Sequence, residues 1–225
     1  MIIETLKRSI VFNSLLPGEL KKISDLFEKL NFNKNEYVFI EGDPSGWFYL
    51  VASGDIKILK HTIMGKDIIL EVMSPGDIFG GVAVLDKKPF PASAQAKDSV
   101  TVIRISRNNL FKIMEEYPVL KLEIVKYFSE KLRDAHEMLK NIATERVEKR
   151  IAFLLIKLSE KTGKNEGIYL KIGFPLTRQE IAEMVGTTVE TCIRTMSKFQ
   201  KMGMIKTANG KILIKVDGFK RFLED

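Results

Sequence analysis

The segment Thr177–Lys201, TRQEIAEMVGTTVETCIRTMSKFQK, constrains the fold of this chain more than any other. Thr177 followed three residues later by Glu180 is a capping box, which predicts a helix start. Gly186 is typical of a helix end, and a second helix is predicted from Val189. Two short helices joined by a glycine-containing turn predict a helix-turn-helix.

The second of these helices has a charged face and an apolar face. Glu190, Arg194 and Lys198 are spaced by four residues and therefore share one side, whereas Cys192 and Phe199 face elsewhere and can pack. A helix that reads the major groove needs a bidentate hydrogen-bond donor for guanine, an acceptor for the cytosine amino group and a cation for the phosphates. Arg194, Glu190 and Lys198 have those properties in that order. The alternative is a solvated helix face stabilised by i,i+4 pairing.

The residues around this segment favour the DNA-binding interpretation. Met204–Thr207 and Lys211–Val216 have strand composition, and Ala208-Asn209-Gly210 between them is a hairpin signal. A basic hairpin in this place is typical of the wing of a winged helix-turn-helix. Upstream, a helix over Glu145–Lys161, a loop over 162–165 and a strand over Ile168–Ile172 are predicted. The net charge of +7 favours a polyanionic partner, so we expect double-stranded DNA.

The N-terminal half is predicted to be a β-roll, jelly-roll-like, preceded by a helix over Pro17–Leu30 with an apolar stripe. Runs rich in β-branched and aromatic residues predict strands at Tyr37–Ile40, Trp47–Ala52, Asp55–Lys60, Ile68–Met73, Ser93–Ala96 and Val100–Ile105. Glycines punctuate the runs every eleven or twelve residues, at positions 42, 54, 65 and 76. That spacing is typical of an all-β sandwich or barrel.

The longest predicted helix starts after Pro118. Its apolar residues recur every three or four positions, as in a coiled-coil seam: Val125, Phe128, Leu132, Ala135, Leu139 and Ile142. We expect this seam to pair with a second copy of the chain, and packing on the chain's own β domain is the alternative. The predicted fold class is α+β. It comprises a β-roll with flanking helices over 1–117, a dimerisation helix and linker over 118–144, and a winged helix-turn-helix over 145–225.

The order of these parts resembles the cyclic-AMP receptor protein/FNR (CRP/FNR) family of bacterial transcription regulators, over nearly the whole chain. The resemblance rests on the glycine-punctuated roll and on GDIFGGVAVL at Gly76–Leu85, RIAFLL at Arg150–Leu155 and LTRQEIAEMVGTTVETCIRTMSKFQKMGMI at Leu176–Ile205. It implies a homodimeric, sequence-specific DNA-binding regulator with a cyclic-nucleotide-binding-type roll as its allosteric sensor. It also implies a palindromic operator and, for an activator, contact with RNA polymerase.

The resemblance implies roles for residues of the helix-turn-helix. Val189-Glu190-Thr191 followed by Arg194 is similar to the FNR branch, in which the Glu and the Arg read bases. On that basis Glu190 and Arg194 read base edges, and Val189 and Ile193 adjust neighbouring positions. The expected phosphate contacts are Thr177, Arg178, Gln179, Thr188 and Lys198.

The sensor region departs from the members that bind cyclic nucleotides. Those members have a Gly-Glu-Leu turn, whose Glu holds ribose, and a later Arg-Ser, whose Arg holds phosphate. Here Gly81 occupies the position of the Glu and Pro91-Ala92 that of the Arg-Ser. Because the cation for a cyclic phosphate is missing, we expect an effector other than cyclic AMP. The iron–sulfur ligands of FNR are also missing, since Cys192 is the sole cysteine.

An effector pocket is nevertheless expected, for a small molecule or for a redox or gas signal. Its expected residues are Gly80, Gly81, Val82, Ala83, Lys131, Ala135 and His136. Lys131 aligns with a ligand-contacting arginine of the family, and the amides of Gly80 and Gly81 can bind an anion. His136 is a candidate haem ligand, with a solvated histidine as the alternative. Control by abundance alone, without a ligand, also stays open.

Other classes of protein fit the sequence less well. No paired carboxylates, Ser–His–Asp order, P-loop or dinucleotide fingerprint stands out, so we expect no catalytic site and no metal site. No signal peptide opens the chain and no apolar run approaches the length of a membrane span. We therefore expect a cytoplasmic protein with no membrane partner. The alternative function is a ligand-binding regulatory subunit that acts on a protein without binding DNA.

Overall fold

The computed structural model describes residues 1–63, 65, 67–208 and 210–224. The chain divides into two compact units, Met1–Arg133 and Asp134–Asp225. This division falls inside the longest helix, and the predicted domain boundaries at 117 and 144 stay predictions.

The first unit is a β-roll flanked by helices. Its helices are α1 (Ile2–Arg8), α2 (Pro17–Ser24), α3 (Gly81–Asp86), α4 (Arg107–Glu116) and the start of α5 (Val119–Thr144), with a 3-10 turn at Phe12–Ser14. Its strands are β1 (Phe27–Phe32), β2 (Tyr37–Phe39), β3 (Trp47–Ser53), β4 (Ile56–His61), β5 (Asp67–Met73), β6 (Ile78–Phe79), β7 (Ser93–Ala96) and β8 (Val100–Ser106). They form two antiparallel sheets, with strand orders β1-β8-β3-β6 and β2-β7-β4-β5.

Strand β3 is buried on both faces and connects two apolar cores. Phe48 and Leu50 pack with residues from the helices α1, α2, α4 and α5. Tyr49 and Val51 point the other way, into the space between the two sheets. Successive side chains of a strand alternate between faces, so a continuous apolar run here supplies both cores. The turn glycines at 42, 54, 65 and 76 all have positive φ, a conformation that glycine adopts without steric cost.

The predicted helix over Pro17–Leu30 is wrong in its second half. Helix α2 ends at Ser24, and Phe27–Phe32 forms β1, paired residue by residue with Val100–Ile105 of β8. The apolar spacing fits a helix equally well, but Phe27 packs edge-on against Phe12, with ring centroids 5.6 Å apart. The six-residue strand ladder outweighs the local helical pattern.

The second unit is a winged helix-turn-helix. Its helices are α6 (Val147–Thr162), α7 (Arg178–Val185), α8 (Val189–Lys201) and α9 (Val216–Glu224), after the end of α5. Its strands are β9 (Lys164–Glu166), β10 (Tyr169–Lys171), β11 (Ile205–Ala208) and β12 (Lys211–Ile214). They form one antiparallel sheet in the order β11-β12-β10-β9.

The predicted helix pair and the following hairpin are confirmed, with two corrections. The loop expected over 162–165 contains the start of β9, which pairs with β10. The last strand ends at Ile214, and the sequence reading missed α9. Phe219 of α9 packs edge-on against Phe199 of α8, with ring centroids 4.9 Å apart. Asn209 of the hairpin signal lies outside the described residues.

Among the described helices, none has both the length and the apolar character needed to cross a membrane.

Candidate nucleic-acid interface and ligand cavity

Helix α7 starts with the predicted capping box. The Thr177 hydroxyl accepts a hydrogen bond from the Glu180 amide at 3.1 Å, and the Glu180 carboxylate accepts one from the Thr177 amide at 2.8 Å. Two of the amides that a helix start leaves unpaired are therefore satisfied by each other's side chains. This arrangement sets where the first helix of the pair begins.

The turn between the two helices is fixed by the conformation of Gly186 and by hydrogen bonds to the last carbonyls of α7. Gly186 adopts the left-handed conformation at φ 67° and ψ 53°, which glycine tolerates without steric cost. The Thr187 amide donates to the Ala182 carbonyl at 3.0 Å. Arg150 of α6 donates through Nη1 to the Val185 carbonyl at 2.8 Å, so a cation lies at the negative end of α7.

Helix α8 is anchored by its inner face. Thr188 caps its start, because its hydroxyl accepts from the Thr191 amide at 3.2 Å. Cys192, Met196 and Phe199 are buried. Burial raises the pKa of the Cys192 thiol, which makes it a packing residue and a poor nucleophile at neutral pH.

The outer face of α8 presents the predicted reading residues. Glu190, Arg194 and Lys198 are all exposed on this one helix. Ile193 is 49% exposed between them, and Val189 is half-buried at the start of the helix. The face therefore combines a bidentate donor, an acceptor and a small apolar surface, the three kinds of group that recognise base edges.

The expected phosphate contacts lie at two helix starts and along α8. Arg178 and Gln179 occupy the first turn of α7, where helix geometry leaves amides without intrahelical acceptors. The Gln179 side chain donates to Glu183 at 2.6 Å. The Thr177 hydroxyl donates to Glu180 at 3.0 Å and the Thr188 hydroxyl to Thr191 at 3.1 Å, so both also serve their own helices.

The lysines of the wing have structural contacts that the sequence did not reveal. Lys206 of β11 places its Nζ 4.8 Å from the centre of the Tyr169 ring. Lys211 of β12 donates to the carbonyl of Gly173. Both residues therefore fasten the hairpin to the rest of its unit as well as adding positive charge.

Removal of the α7 cap should cost stability. Thr177→Ala is expected to lower the free energy of unfolding of the C-terminal unit by about 1 kcal/mol, because the Glu180 amide loses its acceptor. Urea titration followed by circular dichroism measures this. Ser197→Ala, at an exposed position of α8 in the same unit, is the matched control and should not lower this free energy, because alanine favours a helix more than serine does. Equal losses in the two variants would contradict a role for the cap.

A cavity of about 210 Å³ lies in the first unit. Its lining is mostly aromatic and aliphatic: Phe39, Ile58, Glu71, Met73, Ile78, Phe79, Gly80, Gly81, Val82, Ala83, Phe90, Pro91, Ala92, Tyr127, Phe128 and Lys131. The cavity therefore brings together β-roll residues far apart in sequence with residues of α5. The sequence analysis did not predict these aromatic walls. The alternation of side chains along each strand does not show which phenylalanines of different strands meet in one cavity.

Five of the seven predicted pocket residues line this cavity: Gly80, Gly81, Val82, Ala83 and Lys131. Ala135 and His136 are exposed on α5 and are not among its lining residues in the described part of the chain. Packing requires the glycine at position 81. A Cβ there would lie 2.9 Å from Phe48 and 3.0 Å from Phe128, so α3 can approach both rings only without a side chain.

Two charged side chains are among the described residues that line the cavity, and they are paired. Lys131 of α5 binds the carboxylate of Glu71 on β5, with its Nζ 5.3 Å from the centre of the Tyr127 ring. The Tyr127 hydroxyl donates to the Ile78 carbonyl at 3.0 Å. Burial raises the pKa of Tyr127, so this phenol stays neutral.

The predicted seam residues are exposed on α5. Val125, Leu132 and Leu139 are 61%, 58% and 64% exposed. Ala135 and Ile142 are also exposed, while Phe128 is half-buried and reaches the cavity. A row of large apolar side chains facing solvent on one helix is typical of an interaction surface.

The described residues contain no group of three or more His, Cys, Asp or Glu side chains arranged to hold a metal ion. His61 is accounted for locally, with its Nδ1 2.6 Å from the Asp67 carboxylate.

The chain matches two protein families in series. Residues 29–117 match the model of the cyclic nucleotide-binding domain, and residues 149–220 match that of the Crp-like helix-turn-helix domain. Two curated relatives are similar over most of the chain. The CRP-like cAMP-activated global transcriptional regulator of Mycobacterium tuberculosis is 27% identical over 94% of each chain. The Transcriptional activator protein anr of Pseudomonas aeruginosa is 30% identical, over 79% of this chain and 72% of that protein.

A solved structure agrees in fold. FixK2 from Bradyrhizobium japonicum superposes with a TM-score of 0.77 at 20% identity, over 87% of this chain and 96% of that one. The cyclic nucleotide-binding-type roll, the long helix and the helix-turn-helix occur in the same order along the chain. The chain belongs to the CRP/FNR family of DNA-binding transcription regulators.

Proposed function

We propose that this chain is a homodimeric, sequence-specific DNA-binding regulator whose β-roll senses a small molecule other than cyclic AMP. The observation that carries the proposal is the exposed Glu190, Arg194 and Lys198 face of α8, on a helix whose other face is buried. A capped, anchored helix with such a face is suited to the major groove. A regulatory subunit that binds no DNA would have no need of it.

In the proposed complex, α8 lies in the major groove and α7 crosses the backbone. Arg194 donates both arms of its guanidinium to guanine, and Glu190 accepts from the amino group of cytosine. Val189 and Ile193 adjust the contacts at neighbouring bases. The phosphates are bound by Lys198, by the side chains of Thr177 and Thr188 and by the first turn of α7 at Arg178 and Gln179.

The proposed dimer forms along the α5 seam. A two-fold pairing of Val125, Leu132, Leu139 and Ile142 with the same residues of a second copy would cover apolar side chains that are otherwise exposed. A two-fold dimer matches a pseudo-palindromic operator with half-sites about 10 bp apart. The protein would act in the cytoplasm, and an activator would also contact RNA polymerase.

The cavity of the roll is the proposed effector site, and its chemistry does not suit a cyclic nucleotide. Pro91 and Ala92 line the cavity without a charged group, and its cation, Lys131, is paired with Glu71. A cyclic phosphate needs a charge-assisted donor, and a ribose needs hydrogen-bond partners. The relative from M. tuberculosis is named as cAMP-activated. We propose that this chain differs from it in the signal, and that a small organic ligand suits the volume better than haem.

The proposed mechanism is a population shift. A ligand that binds one state of the dimer more tightly than the other raises the share of that state, and equal binding would shift nothing. Helix α5 is the element on which the signal would act, because it carries both the cavity residues Tyr127, Phe128 and Lys131 and the seam.

Binding to duplex DNA tests the proposal. The preferred sequence is first selected from a random duplex pool, and the dissociation constant of the full chain is then measured at several salt concentrations. About six to ten phosphate contacts per dimer would weaken binding roughly 10³- to 10⁵-fold between about 50 and 200 mM salt. A duplex of scrambled sequence is the control and should bind more weakly throughout. If no duplex bound even at low salt, the regulatory-subunit alternative would replace this proposal.

A further inference from the structure

The walls of the cavity are built from aromatic rings. Phe39 and Phe90 stack with centroids 3.7 Å apart and planes 10° apart, and Phe39 lies 6.0 Å from Phe79. Tyr127 and Phe128 meet edge to face at 5.4 Å on the α5 side. Flat rings are recognised by such walls through offset stacking and edge contacts. The shape and chemistry of the lining therefore favour a planar apolar group.

The volume limits the size of that group. A cavity of roughly 150 Å³ admits benzene in a well-studied engineered protein. At about 210 Å³, this cavity has room for one ring with a short substituent. A purine joined to a ribose phosphate is larger and much more polar than this lining.

The Lys131–Glu71 ion pair at the cavity indicates which polar group a ligand would carry. Lys131 and Glu71 are each only partly exposed, at 26% and 32% of their side chains. A neutral ring would leave the pair intact. An acidic substituent would compete with the Glu71 carboxylate for the Lys131 ammonium, and Glu71 has enough solvent access to turn away. The positive charge in turn offsets the cost of removing the ligand's acid group from water.

We propose that the effector is a small aromatic acid, with its ring against Phe39, Phe90 and Phe128 and its acid group on Lys131 in place of Glu71. This inference rests on the proposed effector site. Without ligand, the Lys131–Glu71 pair joins α5 to β5. With ligand, the pair opens and the ring fills the space beside α5. The exchange of one carboxylate for another is the event that biases the two states of the regulator.

Calorimetric titration of the full chain with benzoate, phenylacetate, phenylacetamide and cyclic AMP tests the inference. Benzoate or phenylacetate should bind saturably, and phenylacetate at least about 10-fold more tightly than its neutral amide, the factor expected of one charge-assisted pair. Lys131→Gln should abolish the preference for the acid. Glu71→Gln should tighten binding of the acid several-fold, because it removes the charged competitor.

Matched controls keep the result interpretable. Lys126→Gln removes an exposed lysine of the same helix, paired with Glu123, and should leave the titrations unchanged. Lys131→Met retains the apolar stem and, with thermal unfolding of each variant, separates loss of the charge from loss of folding. The inference is overturned if neither acid binds at millimolar concentration, if the amide binds as well as the acid, or if Lys131→Gln has no effect. Duplex binding by the same preparation is measured separately, with and without the acid. Retained DNA binding with no acid binding rejects this inference alone, whereas acid binding with no DNA binding in either condition rejects the proposed DNA-binding function.

Discussion

Leu132→Glu is expected to convert the proposed dimer into monomers and to weaken binding to a palindromic operator by about 10²-fold or more. Leu132 is 58% exposed near the middle of the α5 seam. In a two-fold interface the substitution acts twice, burying two carboxylates where apolar groups would meet. A monomer engages one half-site and loses the advantage of holding both at once. Native mass spectrometry and gel-shift titration measure the two effects.

Lys140→Glu is the matched control for this variant. Lys140 is exposed on the same helix but lies off the seam, so its reversal of charge should leave the dimer in place. A Leu132→Glu protein that stays dimeric and keeps its operator affinity would place the interface elsewhere. Because Leu132 is exposed in the single chain, the folded protomer should persist in either case.

Arg194→Ala is expected to remove the preference for a G·C pair in each half-site. A bidentate arginine–guanine contact contributes about 1–3 kcal/mol of discrimination, and a dimer makes the contact twice. The measurement compares dissociation constants for the selected operator and for one with that base pair replaced in both half-sites. Wild type should distinguish the two duplexes and the variant should bind them nearly alike. Arg194 is exposed, so the free energy of unfolding should change little.

Lys198→Ala separates base reading from phosphate binding. Removing a phosphate contact should weaken binding to all sequences about equally and reduce the salt dependence by about one contact per protomer. Arg194→Ala should leave that dependence almost unchanged. An Arg194→Ala protein with the sequence preference of wild type would reject the reading role assigned to this residue.

The helix-turn-helix was predictable because its signals are local. The capping pair Thr177 and Glu180 lies within one helical turn, and Gly186 marks the end of α7 through its own backbone conformation. The four-residue spacing of Glu190, Arg194 and Lys198 is a property of any α-helix. The turn glycines of the roll are local in the same sense. Each of these predictions depends on residues that are neighbours in the chain.

Long-range packing decided the rest. The apolar spacing around Phe27 suits a helix or a strand, and the ladder with β8 selects the strand. Helix α9 is different: Val216, Phe219 and Leu223 recur at helical spacing, a local signal that was overlooked, and Phe219 packs on Phe199. The lysines of the wing gained partners at Tyr169 and Gly173 only in the folded unit.

The candidate ligand site shows the same division. The sequence by itself placed Gly81 and Pro91-Ala92 where the family resemblance implies the groups that hold a cyclic nucleotide, and on that basis it predicted a different effector. Only the tertiary structure decided what the cavity offers instead. Phe39, Phe79 and Phe90 come from separate strands and turns, and Lys131 meets Glu71 across sixty positions of the chain. Contacts at such separations form only when the roll closes and α5 packs on it. The amino-acid sequence therefore gives the residues of the cavity but does not show that they come together.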